Sequence, residues 1–244
     1  ELVNAAREPE ISDLTDCLIA MGAKISGHGT DTITIEGVTS LGGATHRVVT
    51  DRIEAGTFAI AAGITGGSLT LKQAKPRHLD ALIDALRLSG IDVIETGEDL
   101  TVTATDRVLA TDISTDPFPG FPTDLQAQFM AMMCVADGSS RISETIFENR
   151  FMHVPELVRM GADISVDGGV AFVRGRRRLI PAPVMATDLR ASVSLVLAAL
   201  ATEGRSEVSR IYHLDRGYSN LEDKLGKCGA RLERISDGGN DEFS

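Results

Sequence analysis

Leu157-Val158-Arg159-Met160-Gly161-Ala162-Asp163-Ile164 holds a helix end, a glycine and a strand start in eight residues. The same element stands at Leu18-Ile19-Ala20-Met21-Gly22-Ala23-Lys24-Ile25, at Leu86-Arg87-Leu88-Ser89-Gly90-Ile91 and at Leu225-Gly226-Lys227-Cys228-Gly229-Ala230. The four glycines are spaced by 68, 71 and 68 residues, and self-similarity at a near-constant period is the mark of a repeat architecture. A glycine after the last apolar turn of a helix accepts the left-handed conformation in which helices stop. The apolar alternation beyond it reads as a strand.

A second element alternates with the first, and each of its three copies opens with Thr-Asp. Thr50-Asp51 precedes Arg52-Ile53-Glu54-Ala55-Gly56-Thr57-Phe58, Thr123-Asp124 precedes Leu125-Gln126-Ala127-Gln128-Phe129, and Thr187-Asp188 precedes Leu189-Arg190-Ala191-Ser192-Val193. Thr and Asp are strong N-cap residues, and an acidic group suits the positive end of a helix. Helices are therefore expected to open at Asp51, Asp124 and Asp188. Each runs through small apolar residues to the neighbourhood of Gly66, Gly138 or Gly204, and is suited to burial on most sides. Alternating strands follow at Ser68 to Leu71, Arg141 to Ile146 and Ser206 to Ile211. Turns such as Gly27-His28-Gly29-Thr30-Asp31 and Asp167-Gly168-Gly169 join paired strands. The helices are more uniformly apolar than the strands, which carry charges at alternate positions. The expected fold is α/β, in units of about seventy residues, with helices packed side by side in the middle and sheets outside.

Composition narrows the function. The 244 residues carry a formal charge of −11, which opposes non-specific binding to nucleic acid or to an acidic membrane surface. The basic run Arg174-Gly175-Arg176-Arg177-Arg178 reads as a solvated strand end. Cys17, Cys134 and Cys228 fit no metal or CxxC spacing, and each falls in a helical pattern where a thiol is usually a small buried hydrophobe. An odd, unpatterned count suits a reducing cytoplasm. No apolar run has membrane-spanning length. The chain opens at Glu1-Leu2-Val3-Asn4 without an initiator Met, which reads as the inside of a longer protein.

Five ordered stretches resemble signatures of the UDP-N-acetylglucosamine enolpyruvyl transferases. They are Asn4-Ala5-Ala6-Arg7-Glu8-Pro9-Glu10-Ile11, Phe121-Pro122-Thr123-Asp124-Leu125-Gln126-Ala127-Gln128-Phe129, Phe147-Glu148-Asn149-Arg150-Phe151-Met152-His153-Val154-Pro155-Glu156-Leu157, Ala186-Thr187-Asp188-Leu189-Arg190-Ala191-Ser192 and Ile211-Tyr212-His213-Leu214-Asp215-Arg216-Gly217-Tyr218. The resemblance spans nearly the whole chain. It implies a pair of inside-out α/β barrels, each of three repeated units around buried helices, with the active site between them. Residues 1–48 would then be the last unit of the first barrel and residues 49–244 the second barrel. A missing N-terminal part would carry the rest of the first barrel, a mobile reactive loop and a Lys-Asn pair.

The reaction implied by the resemblance adds the sugar 3′-hydroxyl of UDP-N-acetylglucosamine to C2 of phosphoenolpyruvate and then expels phosphate, the committing step of peptidoglycan synthesis. It needs a base at the hydroxyl, an acid for C3 and cations around a phosphate and a carboxylate, but no metal or organic cofactor. Asp124 is the candidate base, set against a role as a helix cap shared with Asp51 and Asp188. Arg150, Arg190 and Arg216 are the candidate anion binders, because a guanidinium offers planar two-pronged recognition of phosphate and carboxylate. Each also has a plain alternative as a surface ion pair: Arg150 with Glu148, Arg190 with Asp188, Arg216 with Asp215. The resemblance adds Ile146, Phe147, Asp188 and Leu189 as substrate-binding positions, Phe147 against the sugar nucleotide with nearby backbone N–H groups reaching its phosphates. His153 and His213 read as structural. Some relatives carry His or Tyr where Phe118 stands in Pro117-Phe118-Pro119, and Phe118 has no donor to replace a polar contact there. Two rival readings remain: a non-catalytic α/β repeat fragment, and the sister enzyme acting on shikimate 3-phosphate.

Overall fold

The computed structural model describes residues 1–235. In chain order the elements are β1 (Leu2–Val3), α1 (Pro9–Ala20), β2 (Lys24–Ser26), β3 (Thr32–Glu36), α2 (Arg52–Thr65), β4 (Ser68–Leu71), α3 (Asp80–Leu88), β5 (Asp92–Thr96), β6 (Asp99–Thr103) and β7 (Ile113–Ser114). They continue with α4 (Thr123–Met133), β8 (Ser139–Ser143), α5 (Val154–Arg159), β9 (Asp163–Asp167), β10 (Val170–Arg174), β11 (Pro183–Met185), α6 (Val193–Leu200), β12 (Glu207–Ser209), α7 (Tyr212–Asp215) and α8 (Leu221–Lys227). Four sheets form, in the orders β1-β3-β2, β4-β6-β5, β7-β8-β10-β9 and β11-β12. Pairing is antiparallel except for β7 with β8 and β11 with β12. No helix of the described residues is long and apolar enough to cross a membrane.

The four glycine motifs behave as their spacing predicts. Gly22, Gly90, Gly161 and Gly229 all have positive φ, between 78° and 103°. In each copy the next residue's N–H reaches back to the helix: Ala23 to Leu18, Ile91 to Leu86, Ala162 to Leu157 and Ala230 to Leu225. These bonds satisfy carbonyls that a helix end leaves orphaned. The first three copies run on into β2, β5 and β9, whereas residues 231–235 after Gly229 form no strand. That segment makes no backbone pairing among the described residues, and Leu232 packs instead against the cluster around Tyr218.

Helices α2, α4 and α6 pack against one another in the core, as the apolar reading requires. Every residue from Arg52 to Ile64 is buried except Glu54, which is half-buried. Gly56 allows the close approach of α2 to α4, since a Cβ there would lie 2.5 Å from Leu125 Cδ1. The strands bury alternate residues against these helices, Leu100 and Val102 from β6 and Ala171 and Val173 from β10. Helices are inside and sheets outside.

The three helices share a direction. Asp51, the N-cap of α2, receives Arg190 from the turn that leads into α6. In the second turn of α4, Gln128 meets Thr57 in the second turn of α2. Three positive helix ends therefore gather at one end of the core.

Two expected caps are corrected. Asp51 does cap, accepting from the N–H groups of Ile53 and Glu54. Asp124 does not: α4 opens one residue earlier, at Thr123, and Pro122 occupies the N-cap position without a side-chain bond. Asp188 caps a turn, taking the N–H groups of Arg190 and Ala191 at 2.6 and 2.7 Å, and the helix follows only from Val193. The Ser192 hydroxyl oxygen takes the N–H groups of Thr187 and Asp188 and so delays the helix start. The cysteines also divide. Cys134 is buried, and burial pushes its thiol up to about 12, but Cys17 is half-buried and Cys228 is exposed.

Candidate active site

Asp124 stands in the first turn of α4 with its carboxylate free of backbone duty. Its Oδ1 receives Arg150 Nη2 at 2.5 Å. Arg150 sits in the loop between β8 and α5, its side chain 16% exposed against 41% for Asp124, and its guanidinium lies 5.0 Å over the ring of Phe147. Phe147 itself is 51% exposed, and Ile146 beside it is exposed as well. Asp124, Arg150, Phe147 and Ile146 thus form one wall. The Ile146 and Phe147 N–H groups are not free for phosphate, because both donate to Glu144 Oε1.

Arg190 forms the adjoining wall. Its guanidinium donates to Gly217 O at 2.9 Å and to Asp51 Oδ2 at 3.1 Å, and lies 5.2 Å over the Tyr218 ring. Tyr218 is buried, and that burial pushes its phenol up. Its hydroxyl is bonded to Thr57 at 2.9 Å and to Gln128 at 3.2 Å, and Gln128 also donates to Asp124 O. This chain of contacts joins the start of α4 to Arg190. Leu189 is half-buried and packs on Gly217, where a Cβ would come within 2.8 Å of Leu189 Cδ1.

Each of the three plain ion-pair alternatives fails. Arg150 pairs with Asp124, and Arg190 pairs with Asp51 while Asp188 holds backbone. Asp215 goes to Arg234, which holds its carboxyl below the usual range. Arg216 is exposed and makes no ion pair among the described residues. The structure therefore brings Asp124, Ile146, Phe147 and Arg150 together, links Asp188, Leu189 and Arg190 to them through Tyr218 and Gln128, and leaves Arg216 open beside Gly217. At this end Arg150 and Arg190 are each already paired with a carboxylate, and Arg216 is the one candidate guanidinium without an ion pair among the described residues.

Glu144, Gln128 and Tyr218 were assigned no role from sequence. Gln128 left a signal, a polar residue inside an apolar helix. Glu144 left none, since a charged residue ending a strand is ordinary.

His153 is completely buried, and neither ring nitrogen has a hydrogen-bond partner. Burial lowers its pKa to about 4, with the Asp188 charge opposing and the Arg150 charge assisting. Its structural reading fits, as does that of His213, which stacks on Tyr212. The sign follows from linkage. The unfolded chain takes up a proton near pH 6.5 and the folded one only near 4, so stability is lost as pH falls between those values. His153→Leu is expected to remove that loss, about 3 kcal/mol at full extent. Urea unfolding of both proteins at pH 7 and pH 4.5 checks it, and equal pH slopes would refute it.

The family model described as EPSP synthase (3-phosphoshikimate 1-carboxyvinyltransferase) matches residues 1–225. The chain belongs to this family. Among curated relatives, a protein of Gluconacetobacter diazotrophicus named UDP-N-acetylglucosamine 1-carboxyvinyltransferase is 58% identical over 96% of this chain and 56% of its own length. The chain thus spans about half the length of the curated relatives it matches. Among solved structures, the enolpyruvyl transferase NikO from Streptomyces tendae superposes with a TM-score of 0.81 at 28% identity, over 94% of this chain and 55% of that one. EPSP synthase from Acinetobacter baumannii gives 0.70 at 17% identity, over 91% and 55%. This EPSP synthase family member has the inside-out α/β fold.

Proposed function

We propose that this chain is part of an enolpyruvyl transferase that moves the enolpyruvyl group of phosphoenolpyruvate to the 3′-hydroxyl of UDP-N-acetylglucosamine, in the cytoplasm, on the way to peptidoglycan. The observation that carries the reading is the 58% identity over 96% of the chain to a protein of that name, against 17% to an EPSP synthase of the same fold. Residues 49–244 are read as one barrel and residues 1–48 as the last unit of another, with the rest of the site supplied by the remaining half. Residues 236–244 of that span lie outside the described residues.

Asp124 accepts the proton of the sugar hydroxyl. Arg150 holds Oδ1, and Oδ2 has no partner among the described residues. The hydroxyl oxygen bonds to C2 of phosphoenolpyruvate while C3 takes a proton from an acid outside this chain. Loss of a C3 proton then restores the double bond as the C2–O bond to phosphate breaks. Arg190 and Arg216 hold the phosphate and carboxylate charges, and Phe147 and Ile146 pack on the sugar nucleotide.

Full-length protein containing this chain is expected to release phosphate from phosphoenolpyruvate only with UDP-N-acetylglucosamine present. The separate 244-residue chain is expected to release none. Release driven by shikimate 3-phosphate would favour the sister activity, and release by the separate chain would remove the need for a second half.

A further inference from the structure

Glu144, just past the end of β8, is buried and has no cation against its carboxylate among the described residues. Four donors converge on it instead. Thr115 Oγ1 at 3.0 Å and the N–H groups of Ile146 at 2.9 Å and Phe147 at 3.1 Å serve Oε1, and Thr123 Oγ1 at 2.9 Å serves Oε2. A carboxylate taken out of water is tolerated only where such bonds replace it. These come from three segments: the end of β7, the first residue of α4, and the turn that Glu144 itself begins. Thr145 closes the same joint, its N–H donating to Thr115 Oγ1 and its hydroxyl to Thr115 O.

The connectivity forms a ring. Thr123 precedes Asp124 by one residue, Phe147 precedes Arg150 by three, and Asp124 and Arg150 meet at 2.5 Å. One carboxylate thus ties together the two segments whose charged members form the wall of the site. We infer that Glu144 is the positioning residue of this site. It holds the Ile146–Arg150 loop against the start of α4, sets where Phe147 and Arg150 stand relative to Asp124, and touches no substrate itself. The kinetic part of this role rests on the transferase reading, whereas its structural part stands without it.

Glu144→Gln separates shape from charge. The amide oxygen can keep the three donors at Oε1, and the amide N–H can face Thr123, whose hydroxyl rotates to accept. Glu144→Ala leaves all four donors unpaired. Thr123→Val removes one bond only. In full-length protein, assayed well below each melting point, Glu144→Gln is expected to keep KM for UDP-N-acetylglucosamine and kcat within about threefold. Glu144→Ala is expected to raise that KM about 10–100-fold, the scale of a displaced binding group, and Thr123→Val several-fold. Amide exchange at Ile146 and Phe147 should be slow in wild type and Glu144→Gln and fast in Glu144→Ala. A Glu144→Gln as defective as Glu144→Ala would overturn the proposal, since charge rather than geometry would then matter. So would a wild-type KM in Thr123→Val, which decides the matter if Glu144→Ala does not fold. Should the wild type lack transferase activity, the transferase reading fails, and exchange alone decides: unchanged rates at Ile146 and Phe147 in Glu144→Ala or, if it does not fold, in Thr123→Val overturn the positioning role.

Discussion

Asp124→Asn, placed in the full-length protein, is expected to lower kcat by about 10²–10⁴, the usual loss of a general base. The substitution is clean. Asp124 is not a helix cap, so no capping energy is at stake, and the Asn oxygen still accepts from Arg150. Stability is expected to change by no more than about 1 kcal/mol. Asp124→Ala differs, because it strands the largely buried Arg150 guanidinium and should cost about 1–3 kcal/mol. Asp51→Asn is the comparison: its one amide oxygen caps α2 about as well as Asp, while its NH2 group replaces the oxygen that accepts from Arg190, so the base is untouched and only the Arg190 contact is lost. Its kcat should fall far less. Steady-state kinetics and urea midpoints for the three variants test the assignment, and wild-type kcat in Asp124→Asn would end it.

Arg190→Ala is expected to reduce kcat/KM for phosphoenolpyruvate by about 10²–10³, the effect of removing one member of a desolvated charge pair. Asp51, Gly217 O and the face of Tyr218 all lose their partner at once, so stability should also drop, by about 1–2 kcal/mol. Arg190→Lys should recover only a small part of the kinetic loss. A single ammonium cannot reach Gly217 O and Asp51 together with the fixed spread of the guanidinium. A kcat/KM within threefold of wild type in Arg190→Ala would show that the guanidinium braces the fold and binds no anion.

Periodicity made the architecture readable. Helix stops at Gly22, Gly90, Gly161 and Gly229 are local events, settled by one residue's freedom to adopt positive φ, and local events leave local marks. The apolar character of α2, α4 and α6 likewise predicted their burial. Helix starts were read less well. Thr-Asp opens all three copies of the second repeat element, yet only Asp51 caps its helix; Thr123 is drawn off by Glu144 and Asp188 is held in a turn by Ser192 and Ala191. Those competitors lie in other segments or in a side-chain choice that spacing does not reveal. The arginines show the same limit. Each has an acidic neighbour in the chain, and each turns elsewhere, because adjacent side chains do not face one another. The candidate residues were named through resemblance to a family, and their partners Glu144, Gln128 and Tyr218 became visible only when distant segments were brought together.

Beyond Arg52, Glu54 and Asp124, all in their first turns, helices α2, α4 and α6 carry no charge along their length. The most water-avoiding part of the molecule therefore terminates in its most polar corner, and both depend on the same three axes. A methyl added at Gly56 would collide with the side-chain ends of Leu125 and Leu82, and any shift of α2 that relieved the collision would carry Asp51 away from Arg190. Ligand affinity in such a molecule doubles as a strain gauge for the core: apolar substitutions in the first two turns should register as weaker binding while the fold still holds, and the same changes in the last turn should pass unnoticed by the ligand.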